Sequence, residues 1–135
     1  MKIQHVPVEY VNQTWPLVEK FIDESVAQSK GDFTTEQIKV YVTSGQWMLV
    51  VAVDDAGDVC GGMTINFFNR PDDRVAFVTA TGGKLIISPE TFDQLKAIAK
   101  TFGATCVEAA GRESMVRLLS RCGFEEKYRI VGAKL

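Results

Sequence analysis

The chain has 135 residues, 46% of them hydrophobic and 24% charged, with a formal net charge of −2. These values suit a globular chain with a core of its own and exclude a disordered or fibrous one. The slight negative balance argues against holding nucleic acid through overall electrostatics, and apolar runs such as Met48 to Val53 fall far short of the ~20 residues of a membrane helix. Met1 to His5 lacks the pattern of a secretory signal, so a cytoplasmic location is expected. Cys60, Cys106 and Cys122 form no CxxC pair and the single histidine, His5, is remote from them, so reduced core thiols are expected and a metal site is not.

Lys2 to Val8 alternates apolar and polar residues and reads as a first strand ending near Pro7. A helix is expected next, with Thr14 as N-cap and Pro16 in the first turn, where its missing N–H costs nothing. Its buried stripe is Leu17, Val18, Phe21, Ile22 and Val26, and Gly31 stops it. Thr34-Thr35-Glu36-Gln37 fits a capping box for a second helix that buries Ile38, Tyr41 and Val42 and ends at Ser44-Gly45. Gln46 to Val53 is too apolar for a strand with one wet face and belongs at the centre of a sheet. Asp54 to Asp58 turns the chain into a strand from Val59 to Phe68, and Asn69 to Asp73 turns it again into Arg74 to Thr81, completing an antiparallel meander.

Ser88 caps a third helix with Pro89 at its first position, Phe92, Leu95, Ile98, Ala99 and Phe102 inward, and Gly103 as its stop. Ala104 to Ala109 is a short strand. Arg112 to Arg121 is a fourth helix with Met115, Leu118, Leu119 and Cys122 on one face, closed by Gly123, and a last strand lies within Phe124 to Leu135. The expectation is a single α/β domain over residues 1–135, a mixed, mostly antiparallel sheet of six to seven strands flanked by about four helices. Leu49, Val51, Val53, Ile65, Phe77 and Val107 are expected in one continuous core. Trp15, Tyr41 and Trp47 read as core aromatics or as the lining of a groove beside the first helices.

This order of elements resembles that of the GNAT N-acyltransferase superfamily over essentially the whole chain. The hairpin Val51 to Gly62 looks like the family's second and third strands, and Gly111 to Phe124 looks like its fourth helix with the terminal Gly-Phe. The resemblance implies acetyl-coenzyme A as cofactor and a small-molecule or protein amine as acceptor. Family members hold the pyrophosphate on backbone N–H groups where the third helix starts, in a loop reading Arg/Gln-x-x-Gly-x-Gly/Ala. The corresponding segment here is Thr81 to Pro89; it has Gly82, Gly83 and Lys84 but not that spacing.

Acyl transfer to an amine also needs a base and an acid. The fourth strand, Arg74 to Thr81, contains no carboxylate, so a base would come from Asp72, Asp73, Glu108 or water. Leu119 stands where the family's tyrosine acid is expected and Arg112 where an asparagine is common, which leaves Tyr128 as a substitute acid. The basic stretch from Arg112 to Lys134 suits a small anion, and Arg112 and Arg117 join Gly82, Gly83 and Lys84 as cofactor-binding candidates. The other readings are a domain that has lost catalysis and serves binding or assembly with a protein partner, as short phage-encoded relatives do, and a metabolite-binding regulatory domain.

Overall fold

The computed structural model describes residues 1–83 and 88–135. In chain order the elements are β1 (Lys2–Val6), α1 (Val8–Gln28), α2 (Thr35–Thr43), β2 (Met48–Val53), β3 (Val59–Asn69), β4 (Arg74–Gly83), α3 (Pro89–Thr101), β5 (Cys106–Ala109) and α4 (Glu113–Ser120). Among the described residues they make a five-stranded sheet in the order β1-β2-β3-β4-β5, in which only the β4–β5 pair is parallel. No described helix is long and apolar enough to cross a membrane.

Local signals place most of the boundaries. Thr34 and Ser88 each form a reciprocal capping box, with Gln37 and Thr91, and Pro89 occupies the first turn of α3. Gly57 and Gly103 take φ of +87° and +85° at a hairpin turn and a helix end. Thr14, by contrast, is not a cap. α1 begins directly after Pro7, and the Thr14 hydroxyl donates to the Tyr10 carbonyl one turn back. The helix runs through Pro16 because its buried stripe, Val11, Trp15, Val18 and Ile22, continues on both sides of the proline. Leu17, expected inside, is 55% exposed, and Phe102 is 40% exposed.

The core is two layers, not one. β2 alternates its side chains between them: Leu49 and Val51 face α1 and α2, while Val50 and Ala52 face α3 together with Ile65 and Val107. Val53 lies against the first layer, and Phe77 belongs to neither, being half-buried beside Phe68. Because Val51 is 5% exposed beneath α1, Val51→Ala is expected to cost about 1–3 kcal/mol, read as a lower urea midpoint with an unchanged slope. An unshifted midpoint would contradict this packing.

The sheet has fewer strands than the expected six to seven because Phe124 to Leu135 forms none. Gly123, at φ +90°, turns the chain after α4, and the Phe124 ring packs on Phe92 of α3 at 4.7 Å. Three residues later Lys127 meets Glu108, whose side chain alternates with that of Val107 and so lies on the opposite face. The segment therefore crosses the end of the sheet instead of running along β5.

Candidate functional site

The sheet opens where β5 stops. β5 pairs with β4 only from Val75–Cys106 to Val78–Ala109, while β4 continues to Gly83. The β3–β4 register shifts at the same place: Thr64 faces Ala80 and Ile65 faces Val78, leaving Thr79 as the extra residue of a bulge. The Thr79 hydroxyl is 2.7 Å from that of Thr64. Beyond the bulge the Thr81 N–H, without a β5 partner, donates to Ser25 Oγ of α1 at 3.0 Å. The Thr81 hydroxyl is buried and has no hydrogen-bond partner among the described residues.

Next to the bulge is a pocket of about 30 Å³ lined by Ser25, Val26, Ser29, Asp32, Phe33, Ile38, Thr79 and Ala80. Phe33 belongs to an aromatic cluster in which Tyr41 stacks on Trp47 at 4.3 Å and Phe33 meets Trp47 edge-on at 4.9 Å. Trp15 lies in the same layer of the core. Arg112, at the start of α4, donates to the Gln28 carbonyl at 3.0 Å, tying α4 to the end of α1 and placing a cation at that helix's negative end.

Gly82 and Gly83 form the end of β4 beneath α1. A Cβ on Gly82 would lie 2.0 Å from the Phe21 carbonyl oxygen, and one on Gly83 would lie 2.5 Å from the Cys60 carbonyl oxygen, with φ already at +92°. The close approach of the α1 backbone accounts for Gly82, and the β3 backbone together with the positive φ accounts for Gly83. Lys84 and Leu85 to Ile87 lie outside the described residues. At the start of α3, Pro89 has no N–H, the Thr91 N–H is taken by Ser88 Oγ and the Phe92 N–H by the Ser88 carbonyl. Among the described residues, the N–H of Glu90 has no partner in that turn.

Glu108 receives both arms of the Arg70 guanidinium, at 2.5 and 2.8 Å, and Lys127 Nζ at 2.8 Å. Arg70, aided by Lys127 and opposed by partial burial, lowers its carboxyl to about 2. The same carboxylate raises both Arg70 and Lys127. Cys106 on the same strand is pushed up, first by burial and then by Asp73 and Glu108, so its thiol stays protonated. Tyr128, 65% exposed, follows Lys127 on the crossing segment. Arg117 is exposed, and neither it nor Arg121 makes an ion pair among the described residues. The structure gathers Glu108 and Lys127 with Arg70, gathers Arg112 with the end of α1, and leaves Arg117 apart.

No family sequence model matches the chain, and no curated protein's sequence does. Solved structures do. A probable acetyltransferase superposes with a TM-score of 0.69 at 14% identity, covering 100% of this chain and 97% of its own. An aminoglycoside antibiotic 6'-N-acetyltransferase from Acinetobacter baumannii gives 0.65 at 14% identity, covering 99% and 97%. Glucosamine-6-phosphate N-acetyltransferase from Arabidopsis thaliana gives 0.64 at 10% identity, covering 98% and 97%. The fold is that of the GNAT acetyltransferases. Within this GNAT fold, sequence reading missed the Thr79 bulge, the Ser25–Thr81 link and Arg70. The first two are matters of register and helix approach that no local motif marks, while Arg70 stood in plain view among the turn residues before β4.

Proposed function

We propose that this chain is a binding protein built on the acetyltransferase fold, which takes one small cationic or amine group in the pocket beside Thr79 and does not turn over acetyl-coenzyme A. The observation that carries the reading is the start of α3. A pyrophosphate held at a helix start needs several free N–H groups there. In α3 one is absent at Pro89, one is taken by the Ser88 hydroxyl of the capping box and one by the Ser88 carbonyl, which leaves that of Glu90 among the described residues. The described residues do not fit the cofactor's pyrophosphate.

The acid–base inventory supports the same reading. Glu108, held by two cations and lowered to about 2, is a poor base at neutral pH, and Leu119 stands where the family resemblance expects a tyrosine. A pocket of about 30 Å³ has room for roughly one water-sized group. Its Asp32 carboxylate and three hydroxyls are acceptors suited to an ammonium, from a small molecule or from a lysine of a protein partner.

The test is calorimetric titration of the chain with acetyl-coenzyme A and with free coenzyme A. No saturable heat is expected at any of several temperatures. A saturable micromolar complex would sink the proposal and favour a second reading, coenzyme A-dependent N-acyl transfer to an amine. That reading draws on the Thr79 bulge, which stands where β4 parts from β5 and leaves strand backbone facing the opening. Under it, Tyr128 is the acid candidate, Gly82, Gly83, Lys84, Arg112 and Arg117 are the cofactor-binding candidates, and water or Asp72 or Asp73 serves as base in place of Glu108.

A further inference from the structure

We propose that α4 and residues 124–135 form a docking surface for an anionic lipid bilayer, which the chain touches at this end without crossing. Charge is the first observation. Residues 112–135 carry six basic and three acidic side chains, whereas the rest of the chain carries nine and fourteen, so a net-acidic body bears one net-basic end. Arg117 in the last turn of α4 and Arg121 at its C-cap are exposed and make no ion pair among the described residues. Lys134 is exposed as well, and Arg129 is held only by Glu126 at 3.3 Å, with the two side chains 82% and 50% exposed.

Apolar exposure is the second observation. Tyr128 is 65%, Ile130 79% and Val131 92% exposed, set among Lys127, Arg129 and Lys134. Gly123 turns the chain directly after α4, and the Phe124 N–H donates to the Leu119 carbonyl at 3.2 Å, so the segment leaves from the helix end that carries the two arginines. Phe124 on Phe92 and Lys127 on Glu108 hold the point of departure. Cations and bare aliphatic side chains are thus presented together. A nucleic acid would neutralise the cations but bury neither Ile130 nor Val131. A folded acidic partner would need a shaped, well-packed face to fit, which a segment exposed at every residue beyond Lys127 does not offer. A bilayer needs no such shape: anionic headgroups draw the cations, the acyl boundary takes Ile130 and Val131, and Tyr128 suits the level between them. The same surface repels the acidic remainder of the chain, which turns this end toward the lipid.

Co-sedimentation of the intact chain with phosphatidylcholine vesicles, with and without about 30% phosphatidylserine, tests this. Saturable binding to the anionic vesicles alone is expected at about 0.1 M salt, weakened at least about tenfold at about 0.5 M, where charges are screened within a few ångströms. Arg117→Gln with Arg121→Gln is expected to lower the partition coefficient roughly 25-fold, about fivefold for each cation withdrawn from the surface. Ile130→Ser with Val131→Ser is expected to lower it at least about tenfold with an unchanged circular dichroism spectrum and Tm, since both side chains are exposed. Absence of binding to the anionic vesicles at the lower salt overturns the proposal, and so does equal binding to the two kinds of vesicle. Full affinity in the serine variant would mean that charge alone holds any polyanion, and full affinity in the glutamine variant that another surface does the docking. Either result removes the lipid assignment.

Discussion

Gly82→Ala is expected to lower stability by about 3–5 kcal/mol, or about 10–20 °C in Tm, without altering any binding group. The added Cβ would fall 2.0 Å from the Phe21 carbonyl oxygen and 2.8 Å from its carbonyl carbon, both backbone atoms of α1. A helix backbone cannot swing aside as a side-chain tip can, so α1 would have to lift from β4. That movement would strip Val18 and Ile22 from the layer they fill with Leu49 and Val51. Gly62, opposite Gly82 in the ladder, provides the control. Its added Cβ would meet only the Val18 side chain, at 3.2 and 3.4 Å, so Gly62→Ala should cost far less. Equal melting temperatures for the two variants would refute this account of the glycines. Such a result would return Gly82 to the list of residues selected by a ligand.

The same pair of glycines shows where sequence reading stops. Gly82-Gly83 stands near the position of a phosphate loop, and nothing local separates a loop glycine from one crushed beneath a helix 61 residues earlier in the chain, at Phe21. Features set by neighbouring residues were legible: the capping boxes at Thr34 and Ser88, the turn at Gly57 and the stop at Gly103 all depend on contacts within a few residues. The division of the core was legible too, since Leu49, Val50, Val51 and Ala52 must alternate between faces at a period of two. The expectation of one continuous core ignored that alternation.

Thr14 misled for a different reason. Asn12, Gln13 and Thr14 form a polar run before Pro16, which imitates a helix start, but Val11 and Trp15 already lie on the buried stripe. The final strand was inferred from composition, and Tyr128 to Val131 does carry strand-forming residues. What propensity could not convey is that Phe124 and Lys127 are pinned to opposite faces of the sheet. Of the candidate site, Glu108 was visible as the carboxylate of the fifth strand, but its character was not. The guanidinium that decides it comes from Arg70, 38 positions away in the chain.

That pairing makes the stability of the chain depend on acid in a predictable way. Glu108 has a folded pKa of about 2 against an ordinary 4.5, so the folded state favours the carboxylate. A depressed carboxyl contributes stability that is fully present above about pH 4.5 and is lost as the pH falls toward 2, because the unfolded chain takes up the proton first. The Glu108 side chain is only 11% exposed, but Arg70 and Lys127 are 35% and 56% exposed, so solvent screens the pair and the contribution is about 1–2 kcal/mol, not the full linkage value. Glu108→Gln keeps the shape and removes the charge. The urea midpoints of the two proteins should differ by that amount at pH 7, converge as the pH passes below 4.5, and meet near pH 2. A difference that persists unchanged to low pH would mean that the glutamine disturbs packing and that the carboxylate is not held ionised by its neighbours. Glu108 would then regain an ordinary affinity for protons, and with it the general-base role that the two cations now deny it.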